Sequence, residues 1–371
     1  MPLIPLSLAR HLAPGLKPLR ALAERAWLRE AEVDFFLAAL HPLLRLNRVF
    51  ARLEARQWVA DDMLALTFRV NGNARGWRPG QHVQLHQTLD GVRLGRSYSL
   101  TAVHGDGRVE LAIKRQPGGR LSNRLVDFLE IGTLVEMGQA EGELHWPQEA
   151  TGVLLLAAGS GITPVLGMLR EALAQGFTAP VTLLHYVRQR GQRGQRAFAD
   201  ELQALARRYP NFTVRWSISG EAPVADELTG RFQADHVRHS VASDLLACGP
   251  HGFVSLVRQW WQAEPRQGSV QLEAFSAAPV NTAEPARQVR LGFARARSEM
   301  QGDSRYNLLE QAEAHGLRPA HGCRQGVCTA CTCQLVSGTV RDLRTGALFA
   351  EPGQPIRLCV SAPHSDLVID L

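Results

Sequence analysis

Near the C-terminus the chain reads His321-Gly322-Cys323-Arg324-Gln325-Gly326-Val327-Cys328-Thr329-Ala330-Cys331, and a fourth cysteine, Cys359, follows after 27 intervening residues. Three thiolates on one short loop and a fourth from a distant strand can together hold two irons, the C-x4-C-x2-C…C pattern of a [2Fe–2S] cluster. Gly322 and Gly326 leave space for backbone amides to approach the sulfides. Few folds satisfy this demand: the loop must be tight, and a return strand must bring Cys359 back to it. A structural zinc site is the competing reading, but zinc motifs usually pair two C-x2-C units and only one is present. Cys333 is an extra thiol beside the loop.

At 371 residues the chain suits two or three compact domains, and a hydrophobic content of 45% is ordinary for a globular protein. Five of the six cysteines lie in the last fifth of the sequence, where a secreted disulfide framework would spread them more evenly. A reducing cytoplasm is the expected compartment. The net charge of +6 is almost wholly arginine, since Lys17 and Lys114 are the only lysines. No apolar run reaches the ~18 residues of a membrane span, and Met1 to Ala9 lacks the leading charge of a signal segment. Basic residues are spread without a nucleic-acid motif, so no nucleic-acid partner is expected.

The chain reads as five parts. Residues 1–46 are rich in Leu, Ala and Arg, and Pro5, Pro14, Pro18 and Pro42 cut them into short helical pieces. Residues 47–148 carry closely spaced strand-like runs such as Met63 to Val70 and His82 to Leu85, which predict a small antiparallel barrel. Residues 149–278 alternate strand and helix: Gly152 to Ala158, Val165 to Ala174, Val181 to Tyr186, Ala197 to Arg208, Phe212 to Ser217, Asp244 to Ala247. That alternation predicts a parallel sheet with crossover helices. Residues 279–288 are a linker into a terminal domain, 289–371. A short Gly-Gln-Arg duplication at 191–196 is the sole internal repeat.

Within the barrel segment stands Arg96-Ser97-Tyr98-Ser99-Leu100, followed by Gly119-Arg120-Leu121-Ser122. These motifs, in this order, resemble the flavin-binding segments of the ferredoxin-NADP reductase superfamily. The resemblance implies that Arg96 pairs with the flavin phosphate, that Ser97 and Tyr98 line the flavin with Tyr98 covering its ring, and that Ser99 lies near the atom that accepts hydride. A flavin needs such a set: an apolar platform, a cation for its phosphates and a donor at its reactive nitrogen. Gly119 to Ser122 open a helix whose free amides suit a phosphate, and the resemblance favours FAD over FMN.

Gly159-Ser160-Gly161-Ile162-Thr163-Pro164 stands between an apolar strand and a helix, where glycines permit a tight turn and close approach of a pyrophosphate. It resembles the nicotinamide motif of the same reductases. Cys248-Gly249-Pro250 resembles their C-G-P turn beside the nicotinamide, and Glu273-Ala274-Phe275 their acidic and aromatic end piece near the flavin. By this resemblance Ser99, Cys248 and Glu273 are the catalytic group. Arg188, Arg190, Arg193 and Arg196 follow the second parallel strand, with no acidic residue just after it to bind a ribose 2′-hydroxyl. Guanidinium groups match a 2′-phosphate, so NADPH is preferred over NADH.

The order of modules resembles reductases that end in a plant-type ferredoxin domain, with an α+β β-grasp fold, in which hydride reaches FAD and single electrons leave through the cluster. The chain most resembles the NADPH reductases serving membrane fatty-acid desaturases and hydroxylases, on the Gly91 to Leu100 strand and on the patch Asp34-Phe35-Phe36-Leu37-Ala38-Ala39-Leu40-His41-Pro42. Two alternatives stand beside this: the reductase of a Rieske-type ring-hydroxylating oxygenase, and a redox sensor without turnover. Apart from the His82–His86 spacing within a strand-like run, no His-x-x-x-His, no paired-carboxylate constellation and no haem attachment motif is present, so the acceptor is expected to be another protein. The chain is expected to act as a monomer. Phe35, Phe36, Leu40, Leu43, Leu44, Leu46 and Phe50, near Arg45, Arg48 and Arg52, could face a bilayer or pack against the barrel; packing is the simpler expectation.

Overall fold

The structure, a computed structural model, describes residues 4, 8, 13–25, 27–89, 92–190, 196–222, 224, 227–238, 240, 242–263, 268–276, 285–326 and 328–371. Pro5, Gly91, residues 191–195 with Arg193, the 279–284 part of the linker, and Val327 lie outside the described residues. The chain forms two compact units, residues 1–249 with 253–273 and residues 250–252 with 274–371.

In the first unit two short helices, α1 (Lys17–Glu24) and α2 (Glu30–Leu40), precede the strands. The apolar set of the extension divides between core and surface. Leu43, Leu44 and Leu46 are buried, while Phe35 and Phe36 remain 72% and 70% exposed. Phe50 lies under the guanidinium groups of Arg45, 4.4 Å from the ring centre, and Arg48. Asp34 fixes the entry to the barrel by accepting from Leu46 N at 2.6 Å. No described helix is long and apolar enough to cross a membrane.

Six strands close an antiparallel barrel in the order β1-β2-β5-β4-β3-β6: β1 (Val49–Ala60), β2 (Met63–Val70), β3 (His82–Leu89), β4 (Val92–Val103), β5 (Arg108–Lys114) and β6 (Leu134–Met137). Closure leaves no free edge, and alternate residues such as Leu64, Leu66, Phe68, Leu85, Leu111 and Ile113 fill the interior. Helix α3 (Arg120–Phe128) covers one end through Leu121, Leu125 and Val126.

The second layer of this unit is a six-stranded sheet of order β10-β9-β8-β7-β11-β12. It comprises β7 (Val153–Ala158), β8 (Val181–Val187), β9 (Phe212–Ile218), β10 (Leu228–Thr229), β11 (Asp244–Gly249) and β12 (Val270–Ala274), with helices α4 (Ile162–Ala174), α5 (Ala199–Arg208) and α6 (His251–Gln262) between them. Strands β7 to β11 pair in parallel, and the order reverses at β7, with β8 on one side and β11 on the other. A reversal of this kind opens a crevice at the carboxyl ends of the strands, the usual ligand site of an α/β sheet.

The second unit holds a five-stranded sheet, β14-β13-β20-β15-β18, and a three-stranded one, β17-β16-β19. Its elements are β13 (Gln288–Phe293), β14 (Ser298–Asp303), α7 (Leu308–Ala314), β15 (Thr332–Ser337), β16 (Val340–Asp342), β17 (Leu348–Phe349), β18 (Pro355–Arg357), β19 (Ser361–Pro363) and β20 (Leu367–Ile369). Strand β13 pairs antiparallel with β14 and parallel with β20, and Leu308, Leu309 and Ala312 of α7 pack on the sheet core. This is the α+β arrangement expected for the C-terminal cluster domain.

Candidate functional site

The crevice at β7 is built by glycine. Gly159 to Gly161 form one turn of 3-10 helix between β7 and α4, and Gly159 adopts φ +56°, a conformation that costs any other residue about 1–2 kcal/mol. A methyl group on Gly161 would overlap the Cys248 carbonyl and stand 2.8 Å from Gly249 N. The glycine turn after β7 and the Cys248-Gly249 turn after β11 are thereby pressed together at the strand reversal. Thr163 Oγ1 donates to Ser160 O at 3.0 Å and secures the first turn of α4, while Pro164, the third residue of the helix, needs no N–H there. Beneath the turn, His185 Nε2 is 3.0 Å from Gly159 O; burial pushes this imidazole down to about 4, so it is neutral and donates.

At the end of β11, Cys248 is fully buried, and its thiol approaches Glu273 Oε2 of β12 at 4.0 Å. Burial and then the Glu273 charge push the thiol well above its ordinary value, so it stays protonated. The other Glu273 oxygen lies 3.8 Å from His82 Nδ1 of β3. Ser99, 3% exposed on β4, is the register partner of His82. Cys248 and His82 thus meet at the Glu273 carboxylate, whose side chain is 12% exposed, and strand register sets Ser99 opposite His82. The motifs contain Ser99, Cys248 and Glu273 but not His82, which stands in the strand-like run His82 to Leu85 and is set opposite Ser99 only by the pairing of β3 with β4.

On β4, Ser97 Oγ and Tyr98 Oη are buried polar atoms without a hydrogen-bond partner among the described residues. Buried polar groups in a folded chain are normally satisfied, and because neighbouring residues on a strand point to opposite faces, these are two separate unsatisfied groups, one on each side of β4. Burial holds the Tyr98 phenol well above its ordinary value, so the ring there is neutral. Arg96 is exposed and can reach an anion, its Nη1 resting on Gly95 O at 2.7 Å. Gly119 is the N-cap of α3, and a side chain there would overlap Ser122 Oγ. The free amides of this helix start, with Leu121 and Ser122 buried behind them, could hold a phosphate. These residues fit a flavin nucleotide.

The arginines after β8 are not equivalent. Arg188 is exposed. Arg190 is held by Glu221, at 2.9 Å, and by both oxygens of Glu227, and Arg196 Nη1 reaches Glu227 at 3.3 Å. No carboxylate follows β8 in sequence, but the segment after β9 supplies two. Among the described arginines of the 188–196 group, Arg188 is the one without a carboxylate partner. Phe275 is half-buried just beyond β12, and Pro250 directly follows β11.

In the second unit all four cysteines of the spacing motif are buried, between 1% and 4% exposed, and Cys331 Sγ lies 3.3 Å from Cys359 Sγ. Cys323 and Cys328 form the other pair. Cys323 Sγ accepts from Gln325 N and Cys328 N at 3.3 Å, and Cys328 Sγ accepts from Cys323 N at 3.2 Å. Arg324 at φ +57° and Gly326 at φ +74° curl the loop so that its amides face sulfur. The side-chain hydrogen bonds among the four sulfurs hold the Cys323 and Cys331 thiols below their ordinary value and push their partners Cys328 and Cys359 up, so without metal the protons are shared within the cluster of sulfurs. Among the described residues no three ligating side chains converge on a single ion. Four sulfurs linked from Cys328 through Cys323 and Cys359 to Cys331 fit the donor set of a [2Fe–2S] cluster, and the C-x4-C-x2-C…C spacing sets it apart from the paired C-x2-C units of zinc sites. The short return from Cys331 does not prevent Cys359 from reaching the loop.

Two further residues escaped the motifs. Arg170 of α4 donates to Glu110 at 2.7 Å and to both oxygens of Glu201 at 2.6 Å, and reaches Thr101 O at 3.0 Å, tying the nucleotide sheet to the barrel. Lys114, at the end of β5, pairs with Asp62 at 3.3 Å and stands 3.9 Å from where a Gly159 side chain would begin. Its rarity was the available signal, since only Lys17 shares its type.

Three family models match in the order of the modules: an oxidoreductase FAD-binding domain over residues 50–146, an oxidoreductase NAD-binding domain over 155–259 and a 2Fe-2S iron-sulfur cluster binding domain over 295–364. An NADPH oxidoreductase of Mycobacterium tuberculosis is 31% identical over 372 residues, covering 98% of this chain and 94% of the relative. The ferredoxin reductase component of 3-ketosteroid-9-alpha-monooxygenase from the same species is 28% identical over 79% of this chain and 84% of its own. The solved structure of phthalate dioxygenase reductase aligns over 87% of this chain and 98% of its own, with a TM-score of 0.58 at 24% identity, and shows the same multi-domain fold.

Proposed function

Because this chain belongs to the ferredoxin-NADP reductase superfamily of FAD- and NAD(P)-dependent reductases with a C-terminal plant-type [2Fe–2S] domain, we propose that it delivers electrons from NADPH to a separate oxygenase. When bound, the flavin accepts hydride and the cluster passes single electrons, the conversion that this module order serves. The chain's own residues divide the work around that chemistry. Arg96 and the Gly119–Ser122 helix start hold the flavin phosphates, and Tyr98 covers the ring. The Gly159–Gly161 turn cradles the dinucleotide pyrophosphate. Cys248, small and neutral, leaves room for the nicotinamide, while Ser99, Glu273 and His82 hold the protons of the hydride-transfer site and keep water out. Cys323, Cys328, Cys331 and Cys359 ligate the irons.

The acceptor is the finer question, and the relatives named for oxygenase systems carry it. They favour the reductase of a ring- or steroid-hydroxylating oxygenase over the membrane desaturase that the N-terminal motif suggested. Reconstitution decides: NADPH-dependent product formation is expected with a Rieske-type oxygenase partner. Turnover only with a membrane desaturase would restore the other reading. Stoichiometric reduction without turnover of any acceptor would make the chain a sensor.

The preference for NADPH rests on Arg188, the residue after β8 whose charge no carboxylate offsets among the described residues. Arg188→Ala is expected to raise KM for NADPH about tenfold, the loss of roughly 1.4 kcal/mol from one charge-assisted contact, and to leave KM for NADH within about twofold. Steady-state kinetics with both nucleotides checks it, and equal effects would remove the argument. Arg190→Ala should disturb both nucleotides alike, because its side chain is committed to Glu221 and Glu227.

A further inference from the structure

Two arginines from different parts of the second unit converge on one carbonyl of the cysteine loop. Arg344 Nη1 donates to Gly326 O at 2.9 Å, and Arg357 Nη1 donates to the same oxygen at 2.5 Å. Gly326 lies between Cys323 and Cys328, and Arg357 ends β18 two residues before Cys359. The two guanidinium groups differ in what offsets them. Arg344 is paired with Asp342, at 2.9 Å through Nη2 and 3.4 Å through Nε. Among the described residues no carboxylate pairs with Arg357, which is half-buried. Arg324 is likewise compensated, by Glu313 of α7 at 2.9 Å and through a second, shorter contact.

We infer that Arg357 is a positioning residue that sets the reduction potential of the cluster, while Arg344 holds the loop with little net charge. This rests on the four cysteines holding the [2Fe–2S] group. Reduction adds one electron to the cluster and changes no bond and no proton, so the site gains one negative charge. A fixed cation in a half-buried place beside that charge favours the reduced form, because screening by water is weak there. The Arg357 guanidinium is anchored on the ligand loop itself, which prevents it from swinging into solvent. A higher cluster potential draws the electron away from the flavin.

The full chain is purified as the wild type and as Arg357→Gln, Arg357→Lys, Arg344→Gln and Asp342→Asn. Iron per chain is measured first, which tests the cluster assignment by itself; a wild type without iron overturns that assignment. The midpoint potential is then found by redox titration followed by the electron paramagnetic resonance of the reduced cluster. Arg357→Gln is expected to shift the electron equilibrium about tenfold away from the cluster, or about 59 mV lower for one electron. Arg357→Lys keeps the charge and most of the potential, and Arg344→Gln shifts it less than Arg357→Gln. A fully loaded Arg357→Gln protein at the wild-type potential overturns the inference, as does an Arg344→Gln shift of equal size. If Arg357→Gln fails to hold iron, Asp342→Asn decides: uncovering the Arg344 charge must raise the potential, and no rise sinks the proposal.

Discussion

Gly161→Ala is expected to yield a protein that keeps flavin and cluster but is reduced by NADPH at least a hundredfold more slowly than the wild type. The added methyl would occupy the space of the Cys248 carbonyl and press on Gly249 N at 2.8 Å, so two backbone segments rather than a flexible side chain must move. Overpacking of that kind costs about 3 kcal/mol, the scale of a hundredfold change. The loss falls on the nucleotide crevice because β7 and β11 are adjacent parallel strands whose ends supply both turns. Reduction by dithionite should be unimpaired, which separates a damaged nucleotide site from a misfolded chain. Stopped-flow reduction near the wild-type rate would show that the close approach of these turns is dispensable.

Gly326→Ala should remove the cluster while leaving flavin reduction by NADPH intact. At φ +74° an alanine costs about 1–2 kcal/mol, and its methyl would stand 2.7 and 2.8 Å from the two methyl carbons of Val360 and 3.2 Å from Arg344 Cδ. Relief requires the loop to uncurl, which turns amides of the Cys323–Cys328 segment away from sulfur and breaks the arrangement of the four sulfurs. Iron content and visible absorption beyond that of the flavin should both fall by most of their wild-type value. Adding Val360→Ala relieves the steric part alone, so the double variant should recover a fraction of the iron and not all of it. Full iron in Gly326→Ala would mean that the curl is not what holds the ligands.

The extension shows where patterning in sequence runs out. Phe35, Phe36 and Leu37 look alike as consecutive apolar residues of α2, yet only Leu37 is buried. Which face of α2 turns inward depends on Asp34 bonding Leu46 N and on where the barrel begins, and neither is a local property. The arginines after β8 make the same point through charge. Their density suggested a phosphate site, but Glu221 and Glu227 arrive from beyond β9 and consume Arg190. Sequence distance hid the compensation that parallel pairing of β8 with β9 makes possible.

What the sequence determined by itself is the kind of chemistry and the order of its parts. The cysteine spacing, the Arg96–Ser99 strand, the glycine turn at 159–161 and the alternation of strands and helices are local patterns, set by the reach of a few residues and by side-chain period. They remain legible because cofactor phosphates and irons demand particular backbone shapes, and those shapes demand particular residues. The tertiary structure alone decided which distant groups share a site: His82 with Glu273 and Cys248, Arg170 with Glu110 and Glu201, Arg344 and Arg357 with Gly326. Those meetings depend on barrel closure, strand order and register. Sheet pairing joins residues far apart in the chain, and no short-range pattern records which ones will meet.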